Sequence, residues 1–429
     1  MTILIAGGGI AGLSLALTCE QIGVPFRVFE AASSLRPLGV GINLQPNAVR
    51  ELFDLGLEEK LPEIGIATRE YGMFTKHGLE IWTEPRGLRA GYHWPQYSVH
   101  RGQLQMLLYE TLLERSTPDC VETGWSAVGF ENTDGGVILH LRSADGETRS
   151  VTGDLLIGAD GIHSAIRAQM QPEEGPPIWG GAVLWRGTSL AKPFRTGASM
   201  ALIGHKTQRF VCYPISPKDP QSDLATINWI AELSYDPGAG WNKEDWNREA
   251  NLSDFLPEFE NWRFDWLDIP ELVGRATRVF EYPMVDRDPI DSWTQGAVSL
   301  IGDAAHATYP VGSNGASQAI IDARKLGHHL LAKGTGAAAL TAYQDEMLPI
   351  ARNIVLTNRG SGPDAVLQMI EERCGGRFDN IEDVASHEEL SAHAEKYKAI
   401  AGFSINALNS APPIIQRSFA PGKTPDSTA

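Results

Sequence analysis

Three stretches of the chain carry residue types able to do chemistry. Residues 302–323 read GDAAHATYPVGSNGASQAIIDA. They open with a carboxylate, Asp303, between small residues. Pro310 and a glycine-rich turn with Asn314 follow, and then a helix start with no bulk until Ile320. Such a stretch suits a backbone approached closely by something anionic or flat. Residues 7–12 read Gly-Gly-Gly-Ile-Ala-Gly, with an acid, Glu30, 18 residues past Gly12. In this G-x-G-x-x-G pattern Gly7 permits a tight turn, Gly9 lets a pyrophosphate reach the backbone, and Gly12 lets the helix pack close. The acid accepts ribose hydroxyls. Residues 158–167 read GADGIHSAIR, where Asp160 either holds its own turn or meets a cofactor, two readings of equal weight. His306 invites assignment as a base, yet its place on a turn three residues after Asp303 points to packing. No acid–base constellation is evident.

These residues need elements to place them. Thr2–Ala6 is an apolar run suited to a strand buried on both faces of a parallel sheet. Leu13–Ile22 reads as a helix that Gly23 ends, and Pro25–Phe29 as a second strand. The motif with its acid indicates a dinucleotide, with Ile10 and Ala11 in the helix N-terminus facing the pyrophosphate; it does not separate NAD from FAD. The segment Arg36–Pro46 (RPLGVGINLQP) reads as a loop with two spaced glycines, able to lie against a large planar ring. Arg101 stands just before a helical stretch, Leu104–Leu113, as a surface residue or a contact to phosphate or a flavin edge. Asp154–Ile157 reads as another strand of the first sheet.

Residues 171–284 change character. Apolar runs at 182–185, 210–213, 225–230 and 278–282 alternate with polar loops, which predicts an antiparallel sheet. Trp179, Trp185, Trp229, Trp241, Trp246, Trp262 and Trp266 fall here. Trp185 and Tyr213 on these strands, with Tyr309 and Pro310, are candidate substrate walls; core packing is at least as good a reading of each aromatic. Helices are expected at 325–332, 338–355 and on to about residue 408. The expected fold is α/β. Residues 1–70, 95–170 and 285–355 form a Rossmann-like unit with a parallel sheet. Residues 71–94 and 171–284 form a smaller antiparallel-sheet substrate unit. A helical region (356–417) and a disordered tail (418–429) follow.

The chain has 429 residues and a formal net charge of -17. That charge opposes a nucleic-acid partner or stable association with an anionic membrane. Four scattered cysteines share no metal-ligand spacing, so no metal, no disulfide framework and a reducing, cytoplasmic setting are expected. The apolar N-terminus lacks the basic flank of a signal peptide. No window of ~18 unbroken apolar residues marks a membrane span.

Taken in order, G-x-G-x-x-G with Glu30, GADGIHSAIR, and GDAAH followed by PVGSNG resemble the single-component FAD-dependent aromatic hydroxylases, the para-hydroxybenzoate hydroxylase-like flavoprotein monooxygenases. The likeness reaches to about residue 360. RPLGVGIN, WPQYSVHRGQLQ, YPMVDRDP and YPVGSNGASQAI resemble the phenazine-modifying branch, typified by 5-methylphenazine-1-carboxylate 1-monooxygenase.

The resemblance implies tightly bound, non-covalent FAD, NADH or NADPH as a transient co-substrate, and O2 captured as a C4a-hydroperoxyflavin that hydroxylates a small aromatic. Carboxylated phenazine-, quinoline- or phenol-like compounds are candidates. It implies Gly7, Gly9 and Gly12 at the pyrophosphate, Glu30 at the adenosine ribose, and Gly41 and Ile42 near the isoalloxazine or ribityl group. Arg101 would lie near the phosphate and ribityl chain, Ala127 at the adenine, and Asp303 at the ribityl hydroxyls or pyrophosphate. Gly312, Ser313, Asn314 and Gly315 would present N–H groups to the flavin N1/C2 edge; Ser313 and Asn314 stand where many members carry glycine. Asp160 matches a fingerprint tied to both FAD and the nicotinamide cofactor. A reductase or oxidase without oxygen insertion is the alternative, a halogenase (from Trp262–Pro270) or a non-catalytic dinucleotide sensor a weaker one. The oligomeric state stays open between monomer and homodimer.

Overall fold

The computed structural model describes residues 2–236, 248–360 and 362–415. Trp241, Trp246 and the tail from 418 lie outside the described residues. The first apolar run forms β1 (Ile3–Ala6), buried on both faces. After the glycine turn comes α1 (Ile10–Ile22), stopped by Gly23 at φ 72°, a left-handed cap that glycine adopts without steric cost. The chain continues through β2 (Phe26–Glu30), β3 (Gly41–Leu44), α2 (Pro46–Asp54), β4 (Tyr97–His100) and α3 (Arg101–Arg115). A six-stranded sheet runs in the order 294–295, 298–300, β5 (Leu155–Gly158), β1, β2, 121–123. All its pairs are parallel except the short 294–295 edge.

β3 corrects the sequence reading, which expected loop through Pro46. Gly41–Leu44 pairs antiparallel with β4, Gly41 against His100 and Leu44 against Tyr97. Four residues opened by glycine carry too little periodicity to announce a strand; the partner 56 residues on decides it.

The second sheet has eight strands. At its centre lie β6 (Ile178–Ala191), β7 (Gln208–Pro214), β8 (Ala225–Ser234) and β9 (Val279–Asp286). Its pairs are antiparallel except 199–205 with 70–74. One face is sealed by the segment from Phe255 to Val273. Val366, Leu367, Ile370 and Leu390 of the C-terminal helices pack on part of the other.

α4 (Gly315–Lys333) starts directly after the glycine turn and runs without a break through the helix expected at 325–332. It packs between α1 and α5 (Ala337–Asn358). Arg324 of α4 is fully buried and bonds Glu51 of α2 at 3.2 Å, Gln21 of α1 at 2.8 Å, and Asp54. Farther on, α6 (His387–Ile400) closes over the second sheet.

Candidate active site

Gly7 takes φ +108°, and a Cβ there would stand 2.4 Å from the Ala159 carbonyl oxygen; one on Gly12 would stand 2.0 Å from that of Gly7. Both positions therefore require glycine. Gly9 is the N-cap of α1 and meets nothing within 4 Å. No capping side chain and no first-turn acid occupies this helix end, so its N–H groups and positive dipole suit an anion, with Ile10 and Ala11 in the first turn. Glu30 accepts from Gly8 N at 2.6 Å and Ala32 N at 2.8 Å, which leaves lone pairs on both oxygens for hydroxyl donors. Gln105 of α3 donates to the Gly8 carbonyl at 2.8 Å, a brace that no motif announced. Trp125 N bonds the Glu30 carbonyl at 2.9 Å, bringing Ala127 to this end.

Gly302 ties the third motif to the first: a Cβ on it would lie 2.8 Å from that of Ala11. Asp303 next to it is exposed. His306 is buried and bonds Asp322 Oδ2 at 2.6 Å, an oxygen that also accepts Gly302 N at 2.8 Å. Burial disfavours charge on the imidazole, but the Asp322 carboxylate outweighs it and the His306 pKa lies above its ordinary value. His306 thus braces the turn, as its position indicated.

Asp160 holds its own turn. It accepts from Ser164 Oγ at 2.5 Å and Ala165 N at 2.9 Å, and burial raises its carboxyl despite these bonds. Arg167 is buried, donating to the Ala304 and Ala305 carbonyls at 3.1 and 2.7 Å and to Glu174. It holds the GDAAH turn in place.

The turn before α4 has two successive left-handed residues, Gly312 at φ 72° and Ser313 at φ 50°. Asn314 is buried, and neither polar atom of its side chain has a partner among the described residues. Arg101 begins α3; its N–H bonds the Val40 carbonyl at 2.9 Å and its side chain lies against Gly39. The uncapped α1 terminus, the unspent oxygens of Glu30 and the orphaned Asn314 amide fit a long cofactor with a phosphate at one end and a polar ring edge at the other.

A cavity adjoins this turn. Pro310, Val311 and Gly312 line one side, Leu184, Ile230 and Met284 of the second sheet another, and Tyr397 and Lys398 of α6 a third. Two ion clusters border it: Lys398 and Arg86 each bond Glu84 at 2.8 Å, while Arg209 bonds both Glu232 and Asp364. Burial alone would raise the Glu84 carboxyl, but Arg86 and Lys398 hold it below the usual range.

The expected walls are placed unevenly. Pro310 lines the cavity. Trp185 does not: it lies on the opposite face, stacked on Phe255 at 5.0 Å and donating to Glu281 at 3.0 Å. Side chains alternate along a strand, so its neighbour Leu184 faces the cavity instead. Tyr213 and Tyr309 are buried beside the lining residues, their phenols pushed up to about 12 by burial. Trp262 and Trp266 belong to the aromatic core of the far face. The charged residues at the cavity were missed, although Arg209 and Glu232 flank apolar strand runs, a signal of a wet or paired position.

Residues 1–358 match the model of the FAD-binding-domain family. The chain belongs to that family. It is 43% identical to the phenazine 1,6-dicarboxylic acid hydroxylase PhzS of Lysobacter antibioticus, over 83% of this chain and 89% of that protein. It is 32% identical to the aurachin C monooxygenase/isomerase of Stigmatella aurantiaca, over 83% and 87%. In fold it resembles a salicylate hydroxylase substrate complex, with a TM-score of 0.72 at 22% identity over 95% and 97% of the two chains.

This member of the family is an FAD-dependent aromatic monooxygenase that uses NAD(P)H and O2. When bound, FAD supplies electron transfer from the nicotinamide to oxygen. The chain's own residues bind, orient and shield. The α1 terminus and Glu30 suit the dinucleotide end, and the α4 terminus places positive dipole beside the cavity. The apolar sheet face and α6 limit water in the cavity. No helix among the described residues is long and apolar enough to cross a membrane.

Proposed function

We propose that this enzyme hydroxylates a flat, carboxylated N-heteroaromatic of the phenazine class. The observation that carries this reading is the cavity between the Pro310–Ser313 turn and the second sheet, which has apolar walls of Leu, Ile and Met and charged residues at its margin. A tricyclic ring suits such walls, and the 43% identity to a phenazine dicarboxylate hydroxylase supports the class. In this reading 1–70, 95–170 and 285–355 hold FAD through the residues named above, 71–94 and 171–284 hold substrate, and 356–417 roofs the cavity. The enzyme works in the cytoplasm as a monomer or homodimer, with no nucleic-acid or stable membrane partner.

The test is NAD(P)H oxidation with phenazine, quinoline and phenol carboxylic acids, with product mass and hydrogen peroxide measured together. Phenazine carboxylates should stimulate turnover most and gain one oxygen. Stimulated turnover that yields only peroxide with every aromatic would sink the proposal.

A further inference from the structure

Two side chains of the second sheet grip one residue of β3. Asn228 of β8 accepts Gly41 N at 2.7 Å through Oδ1, and Arg186 of β6 donates to the Gly41 carbonyl at 3.1 Å through Nη2. A Cβ on Gly41 would stand 2.6 Å from Asn228, so only glycine lets the two elements meet. Each side chain keeps an unused donor. Asn228 is fully buried and its Nδ2 has no partner among the described residues; nor has the buried Nε of Arg186. Arg186 makes no ion pair among the described residues. Its half-buried guanidinium meets the neutral Gly41 carbonyl and the Tyr282 ring, 5.9 Å to the centroid, and no acid, so an anion that joins it gains a charge-assisted partner.

The place of this pair indicates the anion. Arg186 follows cavity-lining Leu184 by two residues on β6 and stands opposite Ile230, which also lines the cavity. At the cavity's charged margin every cation already has an acid: Arg86 and Lys398 share Glu84, and Arg209 holds Glu232 and Asp364. A carboxylate entering there meets committed cations, whereas at Arg186 it meets one without an acid partner.

We propose that Arg186 and Asn228 form the carboxylate-recognition site for the substrate, at the seam between β3 and the second sheet. Arg186 offers its fork and Asn228 a neutral amide donor, and together they select ring systems that carry a carboxylate beside the reacting ring. This rests on the carboxylated-substrate reading above, but its test does not require turnover.

Binding of phenazine-1-carboxylate and of unsubstituted phenazine is measured on the FAD-loaded protein from the change in flavin absorbance, for wild type, Arg186→Gln, Arg186→Lys and Asn228→Asp. FAD content and unfolding temperature are measured on each. Wild type should prefer the carboxylate. Arg186→Gln should weaken it about 10- to 100-fold, as for loss of a hydrogen bond to a charged group, with phenazine affinity and FAD content near wild type. Arg186→Lys should fall between, since it keeps charge without the fork. Asn228→Asp keeps the Oδ1 bond to Gly41 and should also weaken the carboxylate alone. The inference is overturned if wild type binds both ligands equally, if the variants weaken both alike, or if Arg186→Gln loses FAD instead. Failure of hydroxylation with selective binding intact would count against the proposed reaction and not against this site.

Discussion

Gly12 shows how much a single missing atom decides. The carbonyl of Gly7 occupies the place of its Cβ, 2.0 Å away, a distance no side chain survives. Gly12→Ala should therefore push α1 off β1, and the purified protein should lack the yellow flavin absorbance. Asp303 differs, being exposed at the start of a short helical turn. Asp303→Ala should leave the unfolding temperature unchanged while raising the FAD dissociation constant about 10-fold or more, the usual weight of a hydrogen bond to a charged group. Equilibrium titration of the apoprotein checks this, and full FAD retention would contradict the role given to Asp303. Trp185 is the counter-example: its type suggested a pocket wall, and its place in the alternation put it in the core.

At the scale of elements, buried polar side chains join what the backbone leaves separate. Arg324 ties α4 to α1 and α2. Arg324→Met takes one of two cations from Glu51, which is 1% exposed and keeps Arg50 at 2.8 Å. Removing one partner of a buried pair costs about 3–5 kcal/mol, and chemical denaturation should show a loss of that order. The His306–Asp322 pair gives a pH signature. The folded-state pKa of His306 is raised, so the proton favours the fold. That stability is fully present below about pH 6.5, the ordinary imidazole value, and is lost as pH rises through the folded value. Unfolding temperature should decline over that window in wild type and stay flatter in His306→Gln; parallel profiles would dismiss the pair as the cause.

Across the whole molecule, the C-terminal region joins the second sheet through Lys398 and Glu84 at 2.8 Å and touches the glycine turn before α4 through Tyr397, whose hydroxyl lies 3.3 Å from the Val311 carbonyl oxygen. Lys398→Met should raise KM for the aromatic substrate while FAD content holds, as expected of a cavity wall distant from the dinucleotide end; loss of FAD would refute that placement. The sequence by itself determined the FAD-binding unit. Its glycines, its acid and its strand–turn–helix order are local, set by turn sterics and helix-end electrostatics within a few residues. It also marked the antiparallel second unit by its strand spacing. Only the tertiary structure decided which face of each strand meets the cavity, that β3 is a strand, and that Arg186 and Asn228 converge on Gly41. Those depend on register and on partners dozens to nearly two hundred residues away, as with Gly41 and Asn228. A one-residue shift in register exchanges core for cavity, and no short stretch of sequence encodes that choice.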